Sequence, residues 1–286
     1  MDKLKGIILD VDGVIIGKKE GINFPNPSEE VINKLKEINA NGTNIHLCTS
    51  KPFFAINKLV KKIGLNTFHI SNGGAIISNP INKKIISKHV INKKLAKKVI
   101  EFCMKNSIYI EAYTKDEYYI CRNKICDITK KRAEKVMMQE AIVVDDLNEI
   151  IDKDIVQFKF ISTEQNKENI NKLFLDEKIE LSINWTFHPA IPFLKTGDVT
   201  SKDISKRQGL LDICEYLNVS TGNILGVGDS KNDWNFIQLC KYKCAMGNAS
   251  EELKKLVLAE NGYIGESVDD NGIIDILDYF LDRLNL

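Results

Sequence analysis

The chain has 286 residues, 43% hydrophobic and 28% charged, a globular composition with length for two domains of ordinary size. Its formal net charge of +1 excludes a global electrostatic pull toward nucleic acid or an anionic membrane. No segment approaches the roughly 18 consecutive apolar residues that a membrane-spanning helix needs.

The first element is an apolar run, Gly6-Ile7-Ile8-Leu9, that reads as a buried strand and ends in Asp10-Val11-Asp12-Gly13. Side chains alternate along extended backbone, so two carboxylates at i and i+2 share one direction at the strand's carboxyl end. Open α/β sheets bind their ligands at that edge. The pair suits a hard-cation site or a nucleophile, and the strand alone leaves both open. Met1 to Lys5 leads straight into this strand and leaves no room for a signal peptide, which predicts a cytoplasmic protein.

Pro27-Ser28-Glu29-Glu30 starts a helix, with Ser28 as N-cap and acids in the first turn. Val31, Leu35 and Ile38 follow at helical spacing, and Gly42 closes the element. A second apolar run, Asn44 to Cys48, ends in Thr49-Ser50, and the next helix runs from near Pro52 to Gly64. This β-α-β-α opening predicts a parallel sheet. His46 and His69 stand beside strand residues and read as packed histidines.

Between residues 83 and 191 the pattern changes. A helix around Leu95, Val99 and Cys103 precedes short strand-like runs at 108–110, 118–121 and 156–160, with helical stretches near 130–140 and 164–177. This predicts an α+β domain inserted into the first, whose aromatic residues are mostly core. From residue 192 the α/β alternation resumes, so the expected core is 1–82 with 192–286. A helix carries Leu210, Ile213 and Leu217. A strand, Asn223 to Val227, then leads into Gly228-Asp229-Ser230-Lys231-Asn232-Asp233. A short strand from Lys243 to Met246 and a helix from Ile273 to Leu284 follow.

The seven cysteines form no Cys-x-x-Cys pair, and Cys48 and Cys214 sit in apolar runs as reduced core cysteines do. No histidine stands at zinc-ligand spacing from Cys121/Cys126 or Cys240/Cys244. Lysine pairs such as Lys61-Lys62 and Lys93-Lys94 read as solvated helix faces.

Chemistry concentrates at Asp10/Asp12, Thr49/Ser50, Lys206, and Asp229 with Asn232 and Asp233. Singly, each has an ordinary explanation: a strand-end hydroxyl, a surface lysine, an acid cluster at a helix start. In this order they resemble the haloacid dehalogenase-like phosphatase superfamily. Ser71-Asn72-Gly73-Gly74, Lys206 before Gly209-Leu210, and Ala245-Met246-Gly247-Asn248-Ala249 are similar to its Cof-type sugar-phosphatase branch. The resemblance implies a Rossmann-like core, an inserted cap over 83–191, and Mg2+ as cofactor. It implies Asp10 as nucleophile, forming an aspartyl-phosphate, and Asp12 as general acid and then base. Asp10, the Asp12 carbonyl and Asp229 would hold the metal, with Asp233 behind them or acting through water. Thr49, Ser50, Lys206 and Asn232 would bind the phosphoryl oxygens.

Three departures stand out: Val14 where many relatives have Thr, Thr49-Ser50-Lys51 for the common Thr-Gly-Arg, and Arg207 where a glycine often follows the lysine. None removes an essential group. Substrate selection falls to the cap, with Arg122, His188 and the stretches Glu111 to Tyr113 and Trp185 to Pro189 as candidates, and Asn72 is a further substrate candidate within the core segment. The expected activity is hydrolysis of a small phosphorylated metabolite, a sugar phosphate, by a monomer or small homo-oligomer. A phosphomutase using the same intermediate is the nearest rival, and a non-catalytic binding protein on this fold is the rival of another class. A glycosyltransferase Asp-x-Asp does not account for Lys206, and Gly226-Val227-Gly228 lacks the third glycine of a dinucleotide-binding loop.

Overall fold

The computed structural model describes residues 4–188, 191 and 193–284. In β1 (Gly6–Leu9), Ile7, Ile8 and Leu9 have no exposed surface, as expected of a central strand. α1 (Glu29–Ala40) starts at Ser28, whose hydroxyl accepts from the Val31 amide at 3.3 Å, and buries Val31, Ile32, Leu35 and Ile38. β2 (Asn44–Leu47), α2 (Phe53–Ile63) and β3 (His69–Ser71) follow, then β4 (Ile76–Asn79) and β5 (Lys84–Lys88).

The next stretch contributes α3 (Lys93–Lys105), β6 (Tyr109–Tyr113), β7 (Tyr118–Cys121), α4 (Asp127–Arg132) and β8 (Ile142–Val144). β9 (Gln157–Thr163), α5 (Glu164–Asp176), β10 (Leu181–Phe187) and β11 (Leu194–Ser201) complete it. The chain ends with α6 (Lys206–Leu217), β12 (Ile224–Gly228), α7 (Trp234–Ile237), β13 (Tyr242–Ala245), α8 (Glu251–Ala259), β14 (Tyr263–Ile264) and α9 (Gly272–Leu284).

These elements form two compact units. The first comprises Met1–Thr49, Asn57–Ile86 and Ser205–Leu286, and the second Ser50–Ile56 with Ser87–Ile204. The first is built on a parallel sheet in the order β14-β13-β12-β1-β2, with β3-β4-β5 as a smaller sheet. The chain leaves β1 toward β2 on one side and later returns to β12 on the other. That reversal of direction leaves the carboxyl ends of β1, β2 and β12 as a ligand edge. Register fixes the levels: Leu9 opposes Leu47 and Val227, so Asp10 stands level with Cys48 and Gly228.

The second unit has a six-stranded sheet, β10-β11-β9-β6-β7-β8, antiparallel except where β8 joins β7. Alternation gives it two unlike faces. Ile110, Ala112, Phe158, Phe160 and Val199 form one core with Val99, Ile100 and Phe174. Glu111, Tyr113, Gln157, Lys159 and Asp198 alternate with them and are also buried.

β11 pairs with β9 and β10, so residues 194–201 lie in the second unit rather than in the resuming core expected from residue 192. Its sequence, Leu-Lys-Thr-Gly-Asp-Val-Thr-Ser, puts Thr196, Asp198 and Thr200 on the polar face, so no apolar run marks the strand. β10 takes in Trp185 to Phe187, which puts His188 just past a strand end.

Candidate active site

Asp10 leaves the end of β1 with its amide bonded to the Val227 carbonyl at 3.0 Å, which carries the β1–β12 ladder one residue further. Lys206, the first residue of α6, follows the N-cap Ser205 and points its ammonium at two carboxylates. Nζ lies 2.7 Å from Asp10 Oδ1 and 2.7 Å from Asp233 Oδ1. The second Asp233 oxygen accepts from the Ser230 amide at 3.0 Å, the Ser230 hydroxyl at 2.8 Å and the Asp229 amide at 3.2 Å. The Gly228-to-Asp233 loop is therefore folded around a fully buried carboxylate. Gly228 is required there, since a Cβ on it would meet Asp233 Cβ at 2.5 Å.

Asp229 is half-buried beside the group. Asp12 follows Asp10 around a turn in which Gly13 adopts φ +82°. A Cβ on Gly13 would fall 2.1 Å from Asp229 Oδ2, so both the backbone conformation and the available space call for glycine. Thr49 is buried at the end of β2, its amide bonded to the Ile70 carbonyl at 2.9 Å. Asn232 is exposed in the short turn Lys231–Asp233.

Ser71-Asn72-Gly73-Gly74 supports this arrangement. The Gly73 amide donates to the Thr49 carbonyl at 3.1 Å, and a Cβ on Gly74, at φ +113°, would lie 2.5 Å from the Ser205 carbonyl oxygen. One turn thus abuts both Thr49 and the residue before Lys206. Asn72, a substrate candidate in the sequence, is fully buried within it.

Charge is unbalanced. Burial, with the neighbouring Asp233 and Asp12, pushes Asp10 up to about 7 against the pull of Lys206. Burial and then Asp233 and Asp10 raise Asp229 well above the ordinary carboxylate range. Burial opposes ionisation of Asp233 too, but Lys206 and the Ser230 hydrogen bonds outweigh it and hold that group low. The lysine loses solvation, yet Asp10 and Asp233 keep it firmly protonated.

Asp10, Asp229 and Asp233 each offer one oxygen, all within 4.8 Å of one another. With Asp233 engaged on both oxygens, Asp10 and Asp229 are the carboxylates suited to bind a hard cation directly. A divalent ion fits this oxygen-only, overly anionic set.

The remaining candidates lie in the second unit. The Ser50 carbonyl accepts from Lys159 Nζ at 3.1 Å, and the same ammonium pairs with buried Asp198. His188 is buried, its Nε2 accepting from Arg132 Nη1 at 3.0 Å. Arg132, which the sequence did not single out, donates to Glu111 Oε1 at 2.9 Å, Glu111 Oε2 at 2.7 Å and the Tyr113 hydroxyl at 3.0 Å. Tyr109 and Tyr113 also donate to Glu111. Arg122 is exposed and paired with Asp145 at 2.7 Å. Trp185 Nε1 donates to Asn171 Oδ1 at 2.8 Å, whereas Phe187 is exposed. Pro189 lies outside the described residues.

A parallel sheet presenting carboxylates at adjoining strand ends, with a half-buried lysine at a helix start beside them, has the make-up of an α/β enzyme core. The chain belongs to the haloacid dehalogenase-like hydrolase family, which matches residues 7–277. Two Bacillus subtilis proteins, the 5-amino-6-(5-phospho-D-ribitylamino)uracil phosphatase YwtE and the phosphatase YwpJ, are each 23% identical to it. The first alignment covers 98% of both chains, and the second 97% of this chain and 100% of the relative. Among solved structures, a haloacid dehalogenase-like hydrolase from Bacteroides thetaiotaomicron has a TM-score of 0.83 at 20% identity, covering 97% of this chain and 100% of that one. A subclass IIB sugar phosphatase has a TM-score of 0.78 at 21% identity, covering 96% and 98%. No described helix is long and apolar enough to cross a membrane.

Proposed function

We propose that this hydrolase is a Mg2+-dependent phosphatase of a small phosphorylated metabolite, a sugar phosphate, working through an aspartyl-phosphate on Asp10. The observation that carries the reading is Lys206 Nζ at 2.7 Å from both Asp10 and Asp233, beside the Asp229 carboxylate. The names of the family relatives support the same reaction class.

Asp10 attacks phosphorus and forms a P–O bond as the ester P–O bond breaks. Asp12 protonates the departing oxygen, then takes a proton from the water that attacks the aspartyl-phosphate and regenerates Asp10. Lys206 keeps the nucleophile anionic and, with Thr49, Ser50 and Asn232, stabilises charge developing on the phosphoryl oxygens. Asp233 orients Lys206 and braces the Asp229 loop. Asp10, the Asp12 carbonyl and Asp229 would hold Mg2+, which when bound offsets the repulsion between carboxylate and phosphate. Of the seven free cysteines, six are buried, which supports a reducing, cytoplasmic setting.

Incubation with p-nitrophenyl phosphate and Mg2+ tests the reading. Turnover should vanish with chelator and fall at least about a thousandfold in Asp10→Asn. Unchanged turnover in a verified Asp10→Asn protein refutes the nucleophile.

A further inference from the structure

The stretch Ala245-Met246-Gly247-Asn248-Ala249 carries no ionisable group and has no part in the chemistry above. It nevertheless meets both carboxylate loops. The Met246 amide donates to the Gly228 carbonyl at 3.1 Å, and the Ser250 amide donates to the Asp229 carbonyl at 2.8 Å. The Asn248 side chain reaches the other loop: Nδ2 donates to the Gly13 carbonyl at 2.9 Å, while Oδ1 accepts from the Val268 amide at 2.7 Å. A carbonyl needs a donor and an amide needs an acceptor, so these partners fix which way the side-chain amide points.

Asn248 is exposed, so packing does not account for the residue type. What asparagine supplies is a donor and an acceptor a short, rigid distance apart. The contact it supports is tight, because the Gly13 backbone abuts the Asp229 carboxylate with no room for a Cβ. The turn from Met246 to Ser250 therefore holds the carbonyls of Gly13 and Asp229, the backbones on either side of that contact.

We propose that Asn248 is a positioning residue that fixes the Asp12–Gly13 turn against Asp229 and so sets the carboxylate spacing offered to cation and phosphate. This rests on the Mg2+-dependent phosphatase reading. The test uses the full chain as wild type, as near-isosteric Asn248→Leu and as Asn248→Ala. It measures the metal-free melting midpoint, the Mg2+ concentration giving half the Mg2+-induced melting shift, and p-nitrophenyl phosphate kinetics. Both variants should raise the Mg2+ half-point and lower kcat, each by about tenfold, as loss of a group supporting a metal ligand does. KM and the metal-free midpoint should stay near wild type. A wild-type Mg2+ half-point in Asn248→Leu overturns the role, whether or not activity falls, since a merely fold-holding residue would leave it unmoved. A wild-type protein that gains no melting shift from Mg2+ and turns nothing over refutes the phosphatase reading itself, and this role with it.

Discussion

Replacing Arg132 with methionine probes the buried charge of the second unit. The guanidinium is 1% exposed and its partner Glu111 has no exposed surface, so neither can recover water when the other is removed. Arg132→Met leaves a buried carboxylate whose remaining described hydrogen bonds come from the Tyr109 and Tyr113 hydroxyls. Breaking such a pair costs about 3–5 kcal/mol, whereas replacing both partners with apolar groups is close to neutral. Arg132→Met/Glu111→Leu should therefore recover most of the loss, short of about 1–2 kcal/mol for the hydrogen bonds that the Tyr109 and Tyr113 hydroxyls make to Glu111 and that His188 makes to Arg132.

The pH dependence has a definite sign. Burial favours the neutral form of Glu111, but the Arg132 charge and the hydrogen bonds from Arg132, Tyr113 and Tyr109 bring it below its ordinary 4.5. A depressed carboxylate contributes stability that is present above 4.5 and lost as pH falls through its folded value. Without Arg132, burial dominates and the folded value rises above 4.5. The penalty is then absent below 4.5 and grows as pH rises through the new value. The deficit of Arg132→Met relative to the double variant should be largest near pH 8 and shrink toward pH 4.5. Urea unfolding followed by Trp185 fluorescence, in a Trp234→Phe background, reports on the second unit. A single-variant loss under about 1 kcal/mol, or a double variant no more stable than the single, would mean that Arg132 does not offset the buried Glu111 charge.

Two further outcomes follow from the geometry. Gly74→Ala forces a Cβ to within 2.5 Å of the Ser205 carbonyl oxygen at a left-handed φ, so it should destabilise the first unit by roughly 2 kcal/mol in urea unfolding and lower kcat through displaced Lys206. Burial, and then Arg132, push His188 down to about 3 from 6.5. The unfolded chain therefore binds the proton first, and stability falls on acidification from 6.5 toward 3. His188→Gln should remove up to about 1.4 kcal/mol per pH unit from that slope, as read from urea midpoints at pH 5 and 7.

Much of the first unit was legible because its code is local. Apolar runs at β1, β2 and β12 end in Asp10, Thr49 and Asp229, and parallel pairing sets those ends side by side. Ser28 and Gly42 bounded α1 as a cap and a turn residue should. The second unit hid more, since the polar face of its sheet breaks the apolar runs on which strand detection relies. β11 was missed for that reason, and with it the boundary near residue 204. Arg132 was unreadable for a related reason. An arginine in Lys130-Lys131-Arg132 looks like a solvated helix end, and only Glu111, distant in sequence, makes burial tolerable.

The sequence stretches that named no chemistry turn out to be the ones that bear on precision. Gly13, Gly74 and Gly228 each occupy a place where one carbon atom would collide with a site residue or its neighbour. Asn72-Gly73-Gly74 meets Thr49 and Ser205, and Met246 to Ser250 meets Gly13, Gly228 and Asp229. Asp10 and Lys206 lie 196 positions apart in the chain yet 2.7 Å apart in space, a separation that strand order alone leaves loose by several ångströms. A charge-assisted hydrogen bond tolerates only a few tenths of that. The difference is taken up by turns whose residues have no catalytic group, so their sequence is constrained by distance rather than by reactivity. A search limited to acids, bases and nucleophiles passes over them, and the alanine and leucine substitutions above measure how much of the site's geometry they hold.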